Sequence, residues 1–175
     1  MNFIDLAKKR KSVRGFLDKE IPEQLIMEML QAAIEAPSAG CCEPWHFFVI
    51  RDRAVIERIH NESCGQSFLL TAPLLIVVCT DVRRNEQHYG ERGRTLYALQ
   101  DTAAAIQNIL LCSTDNGLGS CWCGAFDEDA ASSILGLDRM RPVAIVPIGY
   151  YEDDPLDENA RKPERWALEE SVTFI

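Results

Sequence analysis

Positive side chains are concentrated at two places in an otherwise acidic chain. Five of the 18 lysines and arginines fall within residues 8–14, KKRKSVR, and a second cluster, RKPER, occupies residues 161–165, although the net charge is −9. The planar fork of arginine matches phosphate oxygens, and Ser12 adds a hydroxyl donor. This concentration predicts one defined anion site. For the first stretch, a solvated turn after a helix is the alternative interpretation.

Cysteine is the second residue type here that could do chemistry, and the chain contains seven. They occur in C-C and C-x-C spacings without any C-x-x-C, so neither zinc-site nor ferredoxin spacing is matched. Cysteine inside an apolar run behaves as a small hydrophobic residue. We therefore predict reduced thiols and no metal site for all seven, which are Cys41, Cys42, Cys64, Cys79, Cys112, Cys121 and Cys123.

A loop of small residues could approach a flat ligand. Pro37 ends a helical pattern, and Ser38, Ala39 and Gly40 follow it. Small side chains let a backbone come close to a planar group. His46, in the apolar run after this loop, is interpreted as a structural residue rather than a ligand.

Chain length, composition and net charge limit the class of protein. A chain of 175 residues with 47% hydrophobic residues predicts one globular domain, residues 1–175. The negative net charge argues against nucleic acid and anionic membranes as partners. No apolar run approaches the roughly 18 residues that span a bilayer. The N-terminus, MNFIDLAKKRKS, lacks the apolar core of a signal peptide, so we expect a cytoplasmic protein.

Hydrophobic periodicity predicts the helices and strands that must position these residues. The continuous apolar run LLIVVCT, residues 74–80, predicts a strand covered on both faces. The charged residues 81–94 are interpreted as an exposed connection, either a flexible spacer or a lid, and residues 61–71 as irregular. The other predicted helices are 3–9, 22–36, 53–60 and 127–136, and the other predicted strands are 45–50, 118–124 and 142–150.

A long helix over residues 95–116 is predicted to be the central element. No charged residue occurs between Thr102 and Thr114, whereas a surface helix would carry charges on its outer face. We therefore expect it to be covered on more than one side, with a partner subunit as the second cover. An ordinary core helix of a monomer is the alternative. Its apolar face is predicted at Leu99, Ala103, Ile106 and Leu110, its N-cap at Thr95 and its left-handed end at Gly117.

The composition changes after residue 151. Acidic residues and prolines dominate, and the chain ends in the β-prone sequence VTFI. We predict that residues 152–175 form a C-terminal arm reaching a partner subunit, where the last residues could add a strand to a neighbouring sheet.

Five short motifs follow one another along nearly the whole chain. They are RKSVRGF at residues 10–16, APSAGCCEPW at 36–45, QDTAAAIQN at 100–108, GLGSCWCG at 117–124 and RKP at 161–163. The first two resemble the R-R/K-S-x-R-x-F and A-P-S-x-x-N-x-Q-P-W motifs of the nitroreductase family of FMN-dependent oxidoreductases. The others are similar to that family's central helix, flavin-facing strand and turn, and C-terminal R-x-P.

The resemblance implies an α+β, nitroreductase-like fold with a mixed, mainly antiparallel sheet flanked by helices. It also implies an intertwined homodimer with two FMN sites at the subunit interface. The residues implied at the phosphate and ribityl end are Arg10, Lys11, Ser12, Arg14 and Arg161. The loop implied to cover the isoalloxazine from the other subunit is Pro37, Ser38, Ala39, Gly40 and Cys41. The residues implied along the ring are Cys123, Gly124 and Ala125, with Gln66 as a further contact.

The function implied by the resemblance is a ping-pong transfer of hydride. NAD(P)H would reduce flavin N5, and a small oxidised acceptor such as a nitroaromatic or a quinone would then be reduced. No catalytic acid or base is named. A flavin-binding redox sensor or carrier, the branch of the family that fragments reduced flavin, and a non-flavin anion-binding module are alternatives.

Two residues depart from the family motif. Cys41 stands where the family usually has Asn, and Glu43 stands where it usually has Gln. A thiol is a weaker hydrogen-bonding group than an amide. An ionised Glu43 near reduced flavin would add negative charge, so both departures bear on flavin potential and substrate class.

Overall fold

An antiparallel sheet of four strands forms the centre of the protein. The computed structural model describes residues 1–152, 165 and 167–175. The strands are β1 (Trp45–Ile50), β2 (Leu74–Thr80), β3 (Gly119–Ser120) and β4 (Arg141–Gly149), in the order β1-β2-β4-β3. All three strand pairs are antiparallel, and parallel pairing within the described residues is limited to a single bridge between Ser12 and Ser120. The mixed character predicted for the sheet is therefore restricted to that bridge.

Six α-helices surround the sheet within the described part of the chain. They are α1 (Phe3–Lys9), α2 (Glu23–Ile34), α3 (Arg53–Arg58), α4 (Val82–Arg92), α5 (Ala98–Asp115) and α6 (Glu128–Leu135). Short helical turns cover Ala39–Cys41, Ile59–Cys64, Ser67–Thr71, Gly93–Tyr97 and Leu168–Glu170. This arrangement confirms the predicted α+β class.

Both faces of β2 are buried, as its continuous apolar run predicts. Successive side chains of a strand point to opposite faces. Ile76 and Val78 pack with α2 and α5 in one core cluster, while Leu75 and Val77 pack with α3 and the turn Ile59–Cys64 in the other.

Helix α5 is the predicted central helix, but it begins later than expected. Thr95 is not its N-cap, because residues 93–97 already form a helical turn and Thr95 Oγ1 donates to the Glu91 carbonyl at 2.7 Å. Ile106 and Leu110 are buried, whereas Leu99 and Ala103 are only half-buried in the single chain. The predicted end is confirmed, since Gly117 has a φ of 72°.

The interpretation of residues 81–94 as an irregular connection is wrong, because α4 occupies most of them. Asp81 is the N-cap and accepts a hydrogen bond from the Arg83 N–H at 3.2 Å. The segment is too polar to show an apolar stripe, so its capping and its packing against the turn Gly93–Tyr97 determine the helix.

Two other predicted segments differ from the structure. Residues 61–71 are largely helical turns rather than irregular. The predicted strand 118–124 is reduced to β3 and a separate bridge between Cys123 and Ile145, although the N–H of Cys121 also donates to the carbonyl of Pro147 at 3.3 Å.

The C-terminal arm predicted at 152–175 falls largely outside the described residues. None of the helices in the described ranges is long and apolar enough to cross a membrane.

Candidate functional site

A small cavity lies where the N-terminal basic segment meets the chain that follows β3. Its volume is about 180 Å³. Four predicted ring residues, Gln66, Cys123, Gly124 and Ala125, line it together with Arg14 from the predicted phosphate end. Three further lining residues were not among the predicted ones: Phe68, Cys121 and Trp122.

Backbone pairing brings the basic segment to this cavity. The N–H of Val13 donates to the carbonyl of Ser120 at 3.0 Å, next to the parallel bridge between Ser12 and Ser120. A Cβ on Gly119 would lie 2.8 Å from the Val13 Cβ, so only glycine leaves room for this approach. The contact joins the first and fourth motifs of the sequence.

Positive charge accumulates on one side of the cavity. The cations of Arg14 and Arg10, and a hydrogen bond from Ser12, all act to lower the pKa of Cys121, after the larger effect of its neighbour Cys123. Arg10, Ser12 and Arg14 therefore all lie near Cys121. The ammonium of Lys11 lies 5.3 Å from the centre of the Tyr151 ring.

The C-terminal cluster contributes Arg165 to this positive region. Burial lowers the pKa of Arg10, and the nearby positive charge of Arg165 lowers it further. The second cluster therefore approaches the first, as the sequence predicts for a phosphate site. Arg161, the residue predicted to make that contact, lies outside the described residues, whereas Arg165 belongs to the same basic cluster, RKPER.

The loop at residues 37–41 does not line this cavity. The N–H of Ala39 donates to Asp101 Oδ1 at 3.0 Å, which fixes the loop to the start of α5. Gly40 and Cys41 have φ values of 57° and 53°. A Cβ on Gly40 would lie 2.3 Å from the Tyr89 hydroxyl, so α4 packs directly against the loop. The predicted loop residues are thus held together, but away from the cavity of their own chain.

A larger cavity, of about 570 Å³, lies elsewhere between residues 16–21 and the turn Ser67–Thr71. Its two arginines already have protein partners. Arg53 donates to the carbonyl of Ala72 at 2.8 Å, and Arg51 forms an ion pair with Glu23 at 2.8 Å. Among the described residues that were predicted to bind the ligand, none lines it, so we assign the candidate site to the smaller cavity.

Sequence position explains which lining residues were missed. Cys121 and Trp122 directly precede the predicted Cys123, and the C-x-C spacing places both cysteines on one face of an extended segment. Phe68 carried no comparable signal, because only the helical turn Ser67–Thr71 directs it to the cavity.

Comparison with known proteins supports the same family. The model of the nitroreductase family matches residues 7–66 and 60–150. A Methanothermobacter thermautotrophicus protein that carries the provisional name NADH dehydrogenase/NAD(P)H nitroreductase is 34% identical over 174 residues, which cover 97% of this chain and 87% of that protein.

Solved structures agree with this match. A nitroreductase family protein from Clostridium novyi NT superposes with a TM-score of 0.79 at 30% identity, covering 91% of this chain and 90% of that one. A Staphylococcus epidermidis protein provisionally named NAD(P)H:FMN oxidoreductase has a TM-score of 0.83 over 99% of this chain and 96% of its own, with 20% identity, which supports the fold. This chain belongs to the nitroreductase family of NAD(P)H-dependent oxidoreductases.

Proposed function

We propose that this protein is an FMN-dependent oxidoreductase. The observation that carries the proposal is the convergence of Arg14, Gln66 and the 123–125 segment on one cavity, with Arg10 and Ser12 beside it. Bound FMN would supply the two-electron chemistry, accepting hydride from NAD(P)H at N5 and passing it to a small oxidised acceptor in ping-pong order.

The residues around the cavity fit this cofactor. Arg10, Ser12 and Arg14 offer charged and hydroxyl donors to a phosphate group. Among the described residues, a Cβ on Gly124 would meet only Trp122 Nε1, at 3.8 Å, so the backbone there is open to a flat ring. Gln66 and the backbone of Gly124 and Ala125 would supply polar groups along the ring's edge.

One chain forms only part of the proposed site. Ligand cavities usually measure about 300–1,000 Å³, whereas this one measures about 180 Å³. Because loop 37–41 is held away from the cavity of its own chain, we propose that it covers the cavity of a second copy. A homodimer is thus part of the proposed function.

Exposed apolar side chains support such a dimer. Helix α1 has no buried residue, and its Phe3 and Ile4 are 66% and 58% exposed. On α2, Met27 is 57% exposed. Large apolar surfaces on a soluble chain commonly mark protein interfaces. The half-buried Leu99 and Ala103 of α5 would complete this surface.

Flavin binding tests the proposal directly. Titration of the flavin-free protein with FMN, followed by flavin absorbance and fluorescence, should show saturable binding by a dimer. Arg14→Ala should weaken binding by about tenfold or more, because it removes a charge-assisted contact. Arg139→Ala is the matched control, since Arg139 is exposed and, within the described part of the chain, forms its ion pair with the neighbouring Asp138. FMN binding that is absent, or equal in both variants, would overturn the proposal.

Anaerobic reduction separates the enzyme from a flavin carrier. Rapid bleaching of bound FMN by NADH or NADPH, reversed by a quinone or nitroaromatic, is expected. Tight FMN binding without bleaching would favour the carrier or sensor. The cytoplasmic location stays a prediction.

A further inference from the structure

Two tyrosine rings form a partly exposed aromatic surface next to loop 37–41. The centres of the Tyr89 ring on α4 and the Tyr97 ring on the following turn lie 5.3 Å apart, and the rings meet edge to face. Tyr89 is 41% exposed, so a large part of its ring remains available for a further contact. Aromatic rings attract one another in this geometry. A flat aromatic ligand can therefore extend the pair.

The aromatic surface is attached to the loop itself. A Cβ on Gly40 would clash with the hydroxyl of Tyr89, so this side chain packs directly on the loop backbone. The same helix makes a second contact just beyond the loop, where Arg84 Nη1 donates to the carbonyl of Glu43 at 2.8 Å. Two contacts from one helix hold the loop and α4 as a unit. Tyr89 therefore lies at the edge of any ligand that the loop covers.

A positive charge lies beside the two rings. Arg92 Nε donates to the Tyr97 hydroxyl at 2.9 Å, and its guanidinium lies 5.3 Å from the centre of the Tyr97 ring. The acidic residues of the same helix pair elsewhere, since Glu91 and Glu86 lie 2.7 and 3.9 Å from Arg94. Among the described residues, no carboxylate pairs with Arg92. Because a guanidinium has five N–H donors, Arg92 can still bind an anion.

The position of this surface favours action in the site of a second copy. Neither Tyr89 nor loop 37–41 lines the candidate cavity of its own chain. The hydrogen bond from the Ala39 N–H to Asp101 keeps the loop at α5. Because Tyr89 is attached to that loop, it reaches a flavin only where the loop does, which is across the proposed dimer interface.

We propose that Tyr89, Tyr97 and Arg92 of one protomer form the acceptor site over the partner's flavin and select planar aromatic carboxylates. This inference rests on the proposed function, which places loop 37–41 over that flavin. The rings form a wall for the aromatic group, and Arg92 pairs with the carboxylate. The redox step is the one already proposed. With para-nitrobenzoate, two electrons and two protons convert the nitro group to a nitroso group and one water.

Acceptor kinetics of the FMN-loaded dimer test the role of the charge. The acceptors para-nitrobenzoate and para-nitrobenzyl alcohol are similar in shape but differ in charge, and the ratio of their kcat/KM values is compared between variants. Arg92→Gln should lower this ratio about two- to fivefold, as expected for an exposed ion pair. Arg83→Gln is the control on the same helix, because Arg83 already donates to Asp81 at 2.7 Å. An equal ratio in both variants would overturn the proposal.

Binding of a ligand that is not reduced tests the rings without turnover. Naphthoate is titrated into the oxidised, FMN-loaded protein, and the change in flavin absorbance gives its Kd. Tyr89→Ala should raise this Kd about threefold or more, whereas Tyr89→Phe keeps the ring and should stay close to the parent. Reoxidation of the reduced flavin by dioxygen, which has no ring, should be equal in all three proteins. A parental Kd in Tyr89→Ala would contradict the proposed wall.

Mixed dimers test whether the surface acts across the interface. A Tyr89→Ala subunit and an Arg14→Ala subunit are produced together with different affinity tags, and the mixed dimer is isolated. We expect one of its two sites to be intact and to bind naphthoate with the parental Kd, because the cavity and the wall of that site come from different subunits. If no parental site remains, Tyr89 acts in its own chain and the proposal fails. Absence of FMN binding by the parent protein would instead overturn the proposed function, so the two failures are distinct.

Discussion

The carboxylate of Asp101 joins α5 to a loop that lies 62 residues earlier in the chain, through a hydrogen bond of 3.0 Å from the Ala39 N–H to Oδ1. Its other oxygen accepts a hydrogen bond from Asn85 Nδ2 of α4 at 2.8 Å. Asp101 is 6% exposed, so both bonds form in a region largely shielded from water. One acidic side chain in the first turn of α5 therefore sets the position of loop 37–41, which we propose covers the flavin of a partner.

Replacing Asp101 by asparagine should destabilise the protein. An amide can present its single oxygen to only one of the two donors, and its NH₂ group faces the other. Hydrogen bonds to charged groups contribute about 1.5–3 kcal/mol each, so we expect Asp101→Asn to lower the free energy of unfolding by about 2–3 kcal/mol. Urea denaturation at neutral pH measures this. Asp115→Asn, on an exposed position at the end of the same helix, should change stability by less than about 0.5 kcal/mol. Equal effects of the two substitutions would contradict the role of Asp101.

Adding a methyl group at Gly119 should displace the basic segment. The new Cβ would lie 2.8 Å from Val13 and from Tyr151, and overpacking typically costs about 1–3 kcal/mol. Gly119→Ala should therefore lower stability by this amount and weaken FMN binding. In the matched control Gly15→Ala, the Cβ meets nothing within 4 Å, so both properties should stay close to those of the parent. Unchanged FMN affinity in Gly119→Ala would show that the contact does not position the site.

Asparagine at position 41 should stabilise the loop. Cys41 has a φ of 53°, in the left-handed region that asparagine tolerates better than most residues. The backbone thus explains why the family motif has Asn there. Cys41→Asn should raise the free energy of unfolding by up to about 1 kcal/mol in thermal or urea denaturation. Cys42→Ala is the control, because Cys42 has a right-handed helical φ of −72°. A destabilised Cys41→Asn variant would contradict this explanation.

The ion pair between Glu128 and Arg141 should make stability depend on acid pH. Two hydrogen bonds from Arg141, at 2.8 and 2.7 Å, lower the pKa of Glu128. The contribution is therefore complete above the unfolded pKa, about 4.3, and is lost as pH falls through the lower folded value. Since both side chains are about half exposed, at 50% and 45%, we expect Glu128→Gln to cost about 0.2–1 kcal/mol at pH 7.

Denaturation of the parent and of Glu128→Gln at pH 7 and pH 3 measures this dependence. The difference between the two proteins should shrink toward zero at the lower pH. It should also shrink in 1 M salt, which screens exposed charges. A difference that grows on acidification would show that the carboxylate is not stabilised by its arginine.

Local patterns predicted the elements that are strongly periodic or continuously apolar. β2 and α5 followed from their side chains, because burial of those side chains is what stabilises the elements. Helix α4 was not predicted. It is stabilised by a cap at Asp81 and by contacts with later residues, and it has no apolar stripe that a sequence pattern could reveal. The short length of β3 was not predicted either, because the extent of a strand depends on its pairing with residues that are distant in sequence.

The candidate site likewise has some features that the sequence predicts and others that only the tertiary structure decides. Charge clustering and motif order alone predicted the family, the basic segment and residues 123–125, which line the cavity. Tertiary structure decided that Arg165 approaches Arg10 and that loop 37–41 is fixed by Asp101 away from its own cavity. Each of these joins residues far apart in sequence, and such contacts depend on how sheet and helices pack, which no local pattern of side chains encodes.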